Sequence, residues 1–409
     1  MTRINLVTIP LKKIAGVAQP APHPQPVTPF KTMNFSSISG LVSRCFLLGA
    51  LAFLTTTAQA ADGMKLRFPL TGTLGAEIIA PLDHPGPFVS LIFTQVEVSK
   101  ATGSDGNTLT TSQAGATPPT DVLGDGILRS ASYTATVKSD AKQSQSIGNL
   151  VLGHLSQEEY LGGRLSLIAN LMFSRIKLNT SLSGATPTLG TLSPAIGAPY
   201  PAGTAEATQA GVQAGFAAGY PGGLASQSAA ASGTASDLGD TELTAAWVQA
   251  RDNLKIMVGA TLVLPTGQHN KDKAYNVGFG NFYTLRPGVA VAYKATDALT
   301  LGVRASLGLN TTNQDNQVRS GNFAGLDLAA AYLTPVGVVG VNLLKVAQYQ
   351  DDTGGTLGAN RFSATAGGIF LASMIPALNT GINLSYTQML QSRNAMSARF
   401  FQLVATKAF

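Results

Sequence analysis

Four charged side chains stand on faces of alternating segments that are otherwise mostly small or polar: Arg164, Lys255, Arg304 and Asp327. Successive side chains of a strand point to opposite sides, so each of the four lies opposite a run of Leu, Val and Ala. A charge facing lipid at the bilayer midplane costs about 2–4 kcal/mol for Arg or Lys, which places the four in an interior or near a rim. Two roles fit an interior position. The charges line a pore and tune its selectivity, as charged rings do in channels, or they pair with one another and fill a narrow lumen. On the first role, Arg304→Ala changes conductance without blocking assembly.

Other reactive residue types give less. His84, His154 and His269 are far apart in sequence, and no His-x-x-x-His zinc spacing occurs. A Ser–His hydrolase needs the histidine beside a Ser and an oriented Asn or Asp, and would require His154 or His269 to meet a Ser at the outer rim. Asp351-Asp352-Thr353-Gly354-Gly355 and Asp315 beside Asn313 and Asn316 offer oxygen ligands suited to calcium. A solvated loop, or divalent contacts with lipopolysaccharide, is the favoured reading of both. Leu264-Pro265-Thr266-Gly267 and Gly278-x-Gly280 are followed by neither Lys-Ser/Thr nor a helix pattern, so they read as punctuation and not as a phosphate loop. The expectation is no enzyme, no cofactor and no metal.

Strands must position these groups. In 299–310, Leu299, Leu301, Val303, Ala305, Leu307 and Leu309 share one face, and Arg304 stands among Thr, Gly and Ser on the other. Similar alternation marks 131–137, 165–173 and 254–264, with further strands at 88–99, 241–250, 283–294, 322–333, 336–348, 361–372, 379–390 and 398–409. Most exceed the five or six residues (roughly) of a globular strand and match the roughly 9–11 needed to cross a bilayer obliquely. From 241 onward the connections alternate short and long, as in barrels with short periplasmic turns and long external loops. The fold class is therefore all-β: an antiparallel transmembrane barrel of about twelve strands. Residues 139–161 read as a long turn that contains a short helix, and 179–240 as a mobile Gly/Ala-rich external loop or a plug. Phe88, Phe93, Tyr293, Tyr332, Phe370, Phe400 and other aromatics near strand ends read as interfacial girdles, with stacking on an aromatic solute as the alternative.

Composition agrees. Charged residues are 12% of the 409, glycines number 44, and mean hydropathy is +0.18. This is too apolar for disorder and too poorly charged for an ordinary cytosolic enzyme. The formal charge of +6 misleads. Residues 1–60 contain Arg3, Lys12, Lys13, Lys31 and Arg44 and no acid; without them 22 basic residues face 21 acidic ones, which removes the case for nucleic acid. The same region reads as a leader. Met33 is the expected start, Arg44 the positive region, 45–54 the apolar core and Ala58-Gln59-Ala60 the cleavage site before Ala61. Residues 61–409 then form the barrel, without cysteine because Cys45 falls in the leader. The last strand ends on Phe409, whose face it shares with Ala405, Leu403 and Phe401.

Several motifs stand in a characteristic order: His84-Pro85-Gly86-Pro87-Phe88, Leu161-Gly162-Gly163-Arg164, Leu238-Gly239-Asp240-Thr241-Glu242-Leu243 with Trp247, Leu264-Pro265-Thr266-Gly267 with Asn276-Val277-Gly278, and Gln348-Tyr349-Gln350-Asp351-Asp352 with Asn360-Arg361. In these the chain resembles the outer-membrane family of the MetA pathway of phenol degradation. The resemblance implies a bacterial outer-membrane location and passive passage of small hydrophobic or aromatic molecules. The expected partners are outer-membrane lipid and lipopolysaccharide, and the final strand closing on Phe409 looks like the signal read by the barrel assembly machinery. It implies no phenol chemistry in the barrel. A structural or surface-interaction barrel without an open pore is the alternative.

Overall fold

The computed structural model describes Arg67 and residues 85–270, 272–355 and 360–409. The leader expected at 1–60 lies outside the described residues. The strands are β1 (Gly86–Thr102), β2 (Thr110–Ala116), β3 (Ser132–Tyr160), β4 (Gly163–Ser183), β5 (Gly233–Leu238), β6 (Thr241–Arg251), β7 (Leu254–Leu264) and β8 (Thr284–Lys294). They continue as β9 (Leu299–Asn310), β10 (Phe323–Thr334), β11 (Gly337–Gln348), β12 (Ser363–Ile375), β13 (Thr380–Arg393) and β14 (Ala395–Ala408). Helix α1 (Thr204–Ala230) lies between β4 and β5.

Twelve of the strands close on themselves. The ring runs β1-β14-β13-β12-β11-β10-β9-β8-β7-β6-β4-β3 and returns to β1, every pair antiparallel. Closure pairs the backbone groups that a bilayer interior could not satisfy and leaves no edge. Its outside is apolar: Leu301, Val303, Leu307 and Leu309 of β9 and Leu326 and Leu328 of β10 are exposed, while the alternate positions face inward. The connections sort by length. Leu161-Gly162, Asp252-Asn253 and three other short turns occupy one end with Gly86 and Phe409, where the Phe409 N–H donates to the Pro87 carbonyl (2.9 Å). The long loops lie at the other end. The expected 391–397 connection there is shorter than its sequence suggested, with only Asn394 between β13 and β14.

The aromatics divide between the two faces. Phe93, Tyr293, Tyr332 and Tyr386 are exposed on the outside, as girdle residues are, whereas Phe88, Phe370 and Phe400 point inward and are buried. Three inward rings each cover a glycine directly across the ladder: Phe88 over Gly153, Phe323 over Gly308 and Phe370 over Gly340. A Cβ at Gly308 would stand 2.0 Å from the Phe323 ring, which is fully buried. Gly308→Ala is expected to destabilise the barrel by about 1–3 kcal/mol, read as a lower denaturant midpoint.

Two sequence expectations are corrected. Residues 139–161 do not form a turn with a helix; they continue β3 down to the tight Leu161-Gly162 turn, where φ is 53° and 74°. The 179–240 region is neither a plain loop nor a plug through the barrel centre. β4 continues to Ser183, and α1 and β5 follow. The long β3–β4 hairpin rises beyond the rim, flanked by β2 and β5. Helix α1 packs on the side of this extension that continues the inner face. Val212, Phe216, Tyr220 and Leu224 of α1 meet Tyr133, Ala135, Val137 and Leu182.

Candidate functional site

β5 and β6 form one interrupted strand, broken at Gly239-Asp240 where β4 exchanges its partner. The break turns the Asp240 carboxylate inward at the loop end. One oxygen accepts the Gly267 N–H (3.0 Å) and the other the Phe279 N–H (3.3 Å). The carboxylate also holds Arg67 at 2.9 Å, with both side chains almost fully buried. The Arg67 guanidinium donates further to the carbonyls of Gly280 (2.9 Å) and Phe282, and lies 3.8 Å over the Phe282 ring. Arg67 precedes β1, which begins at the opposite end of the barrel, yet its contacts are with inward groups of the loop end.

A second ion pair joins this one. Arg286 on β8 binds Glu242 on β6 (2.7 Å) and donates to the Arg67 carbonyl (3.0 Å). Glu242 also accepts from Asn170 (3.2 Å), whose oxygen accepts from Asn149 (3.0 Å). A continuous polar chain therefore crosses β3, β4, β6 and β8 and ends on Arg67. Two arginines offset two carboxylates, so the network is neutral, which limits the penalty for burying its charges.

The four charges expected from sequence do not form one ring. Arg304 and Asp327 face inward as directly paired neighbours on β9 and β10, joined by two contacts of 2.8 Å. Arg164 lies at the short-turn rim, paired with Glu159 (3.2 Å) and lining a cleft of about 310 Å³ beside Leu155, Val248 and Ala250. Lys255 faces inward at the same end, one residue into β7. His154 is exposed on the outer face of β3 toward the short turns, and His269 sits in the 265–283 loop at the other end. Sequence reasoning missed Arg67 and Arg286, and held Asp240 and Glu242 only as part of a motif. The inward face of β6 and the isolated Arg286 on β8 carried the available signal.

At the loop end Asp352 ties two loops together. One oxygen accepts from the Gly321 N–H and from the Gln348 amide, both at 2.7 Å. Burial pushes its carboxyl up. The folded state then binds this proton more tightly than the unfolded chain, so the group favours folding most at low pH, and that contribution is lost as pH rises through the raised value. Asp352→Asn is expected to abolish the dependence and keep the acceptor. Asp352→Ala is expected to cost the tether about 1–3 kcal/mol, seen as faster hydrogen exchange at the Gly321 amide.

A family model described as "Putative MetA-pathway of phenol degradation" matches residues 128–395. The chain belongs to this family. The match takes in Asp240, Glu242, Arg286, Arg304 and Asp327 and leaves Arg67 outside it. A comparison with curated proteins finds no match. Among solved structures, an outer membrane channel from Pseudomonas putida is similar, with a TM-score of 0.54, 16% identity, and coverage of 80% of this chain and 97% of the channel. That likeness shows the fold. The β-domain of the Bordetella autotransporter BrkA aligns at a TM-score of 0.41 with 10% identity, covering 80% of this chain and 100% of the domain. A FadL homologue from Pseudomonas aeruginosa aligns at 0.34 with 10% identity, covering 87% and 99%. The charge networks described above are read from this chain's own residues.

Proposed function

We propose that this chain is a gated outer-membrane channel that passes small hydrophobic or aromatic molecules by passive diffusion. The observation that carries the reading is the state of the inner wall. Asn342 on β11, Asn383, Ser385 and Thr387 on β13 and Gln402 on β14 face inward, are at most 8% exposed, and each has a side-chain polar atom without a hydrogen-bond partner. Left unpaired, each such group would cost about 1–3 kcal/mol, so the wall calls for water or the polar groups of a solute as partners, and a path for small molecules supplies both. The family's association with phenol degradation gives the solute class. Arg304 and Asp327 tune the wall at mid-barrel, and Arg164 and Lys255 set the charge of the periplasmic mouth.

In this reading a leader is removed near Ala60, the assembly machinery recognises the strand ending in Phe409, and the long loops face outside. No catalytic role is assigned to the barrel. The competing reading, a structural or surface-interaction barrel, draws on the same buried inner wall and on the α1 extension at the external end. Flux separates them. Proteoliposomes are expected to take up a hydroxybenzoate well above protein-free vesicles, and faster than a disaccharide. Uptake equal to that of protein-free vesicles, from barrel shown to be folded, favours the structural reading.

A further inference from the structure

The outer face changes character along one side of the barrel. Leu403, Phe93, Gly148, Phe173 and Leu238 form one row across β14, β1, β3, β4 and β5, paired in register. Phe93 and Phe173 are about half exposed there, as lipid-facing rings are. Two residues nearer the loop end, the row reads Phe401, Gln95, Ser146, Arg175 and Ser236. Four residues nearer, it reads Arg399, Glu97, Ser144, Lys177 and Thr234. Lys142 follows one step higher on β3, opposite Asn179. At a rise of about 3.4 Å per residue, Arg175 and Lys177 lie about 7 and 14 Å along the strand beyond Phe173.

All four cations, Lys142, Arg175, Lys177 and Arg399, are exposed, and none pairs with a described residue. Two acids on this face, Glu97 directly across from Arg399 and Asp140 on β3, offset part of this charge and leave four cations against two carboxylates. Glu97 is engaged by the Gln95 amide and the Ser144 hydroxyl, both at 2.8 Å, and Asp140 stands two residues beyond Lys142. Cations gathered just outside the aromatic edge of a lipid belt stand where headgroup phosphates lie. Arginine and lysine are the side chains suited to phosphate, and the neighbouring Ser144, Ser146, Thr234 and Ser236 supply hydroxyls that match a sugar.

We propose that this face binds an outer-leaflet glycolipid through its phosphates, the phosphorylated sugar headgroup of lipopolysaccharide. The proposal rests on the orientation given above, with the long loops external. The binding fixes the β3–β4 extension against the membrane surface, beside the interrupted β5–β6 strand that carries Asp240.

The test uses the purified, folded full-length barrel in detergent with three probes: lipopolysaccharide, the same material dephosphorylated, and inorganic phosphate. Changing Lys142, Arg175, Lys177 and Arg399 together to Gln is expected to weaken lipopolysaccharide binding by about a hundredfold, at roughly one kcal/mol per cation less what water recovers. The milder pair Lys142→Gln and Lys177→Gln serves if the fourfold variant does not fold. Wild-type protein should bind the dephosphorylated form as weakly as the variant binds the intact one. Equal binding by variant and wild type, or by intact and dephosphorylated lipid, overturns the proposal. Saturable binding of inorganic phosphate with no preference for the lipid assigns the face to a free anion and overturns it as well. Conductance measured in parallel keeps the channel reading separate, because these side chains lie outside the lumen.

Discussion

Arg67→Ala is expected to raise the open-channel current of the reconstituted barrel several-fold. The guanidinium is the buried hub that links Asp240, two loop carbonyls and the Phe282 ring. Its removal leaves Asp240 with the Gly267 and Phe279 amides among its described partners and takes from the 265–283 loop the bonds to the Gly280 and Phe282 carbonyls. Breaking one side of a buried pair costs about 3–5 kcal/mol, and 3 kcal/mol already shifts a held-to-released ratio more than about a hundredfold. The Arg67 carbonyl, still available to Arg286, retains part of the hold. Arg67→Lys keeps the charge and loses the planar fork, so it should fall between wild type and Ala. Heat-dependent gel mobility establishes that each variant is a folded barrel. Currents equal to wild type from folded Arg67→Ala would mean that this hub does not restrict the channel.

The second large effect falls on the Arg304–Asp327 pair. Asp327 is almost wholly buried, and among the described residues its charge is offset by Arg304. Arg304→Ala strands that carboxylate and should lower barrel stability by about 3–5 kcal/mol. Changing Arg304 to Met and Asp327 to Leu together removes both charges and should cost little, or stabilise by about 1–4 kcal/mol. The chain has one tryptophan, Trp247, whose ring packs over Gly163 and whose N–H donates to the Tyr160 carbonyl (2.8 Å), so its fluorescence follows unfolding at the short-turn end. Near-additive losses in the double variant would mean that the two charges do not act as a unit. The sequence expectation that Arg304→Ala alters transport without blocking assembly thus gains a stability cost, because the residue proposed to tune the wall is also the one paired with Asp327.

The barrel strands were legible because lipid enforces their pattern. In β9 the outward row must be apolar while the inward row carries Thr, Gly, Arg and Ser, so alternation names both the strand and the face of Arg304. The same pressure vanishes above the bilayer. In β3, the stretch Gln143-Ser144-Gln145-Ser146 is polar on both faces, and no period survives to separate strand from turn. Helix α1 is hidden by its Ala and Gly content and by Pro221; only the spacing of Val212, Phe216, Tyr220 and Leu224, every fourth residue, betrays the buried stripe. Arg304 and Asp327 could be placed inside from sequence, but their meeting depends on the register of β9 against β10. Arg67 belongs to no strand, so nothing local connects it to Asp240, 173 residues later.

Single-channel recording is the most direct test of the central claim. Purified protein in planar bilayers should give discrete conductance steps that a small aromatic acid reduces in a saturable way, with Arg67→Ala open for a larger fraction of the time. A folded wild-type barrel and a folded Arg67→Ala barrel that both stay silent, with and without the aromatic acid, would contradict a gated channel and leave the structural reading.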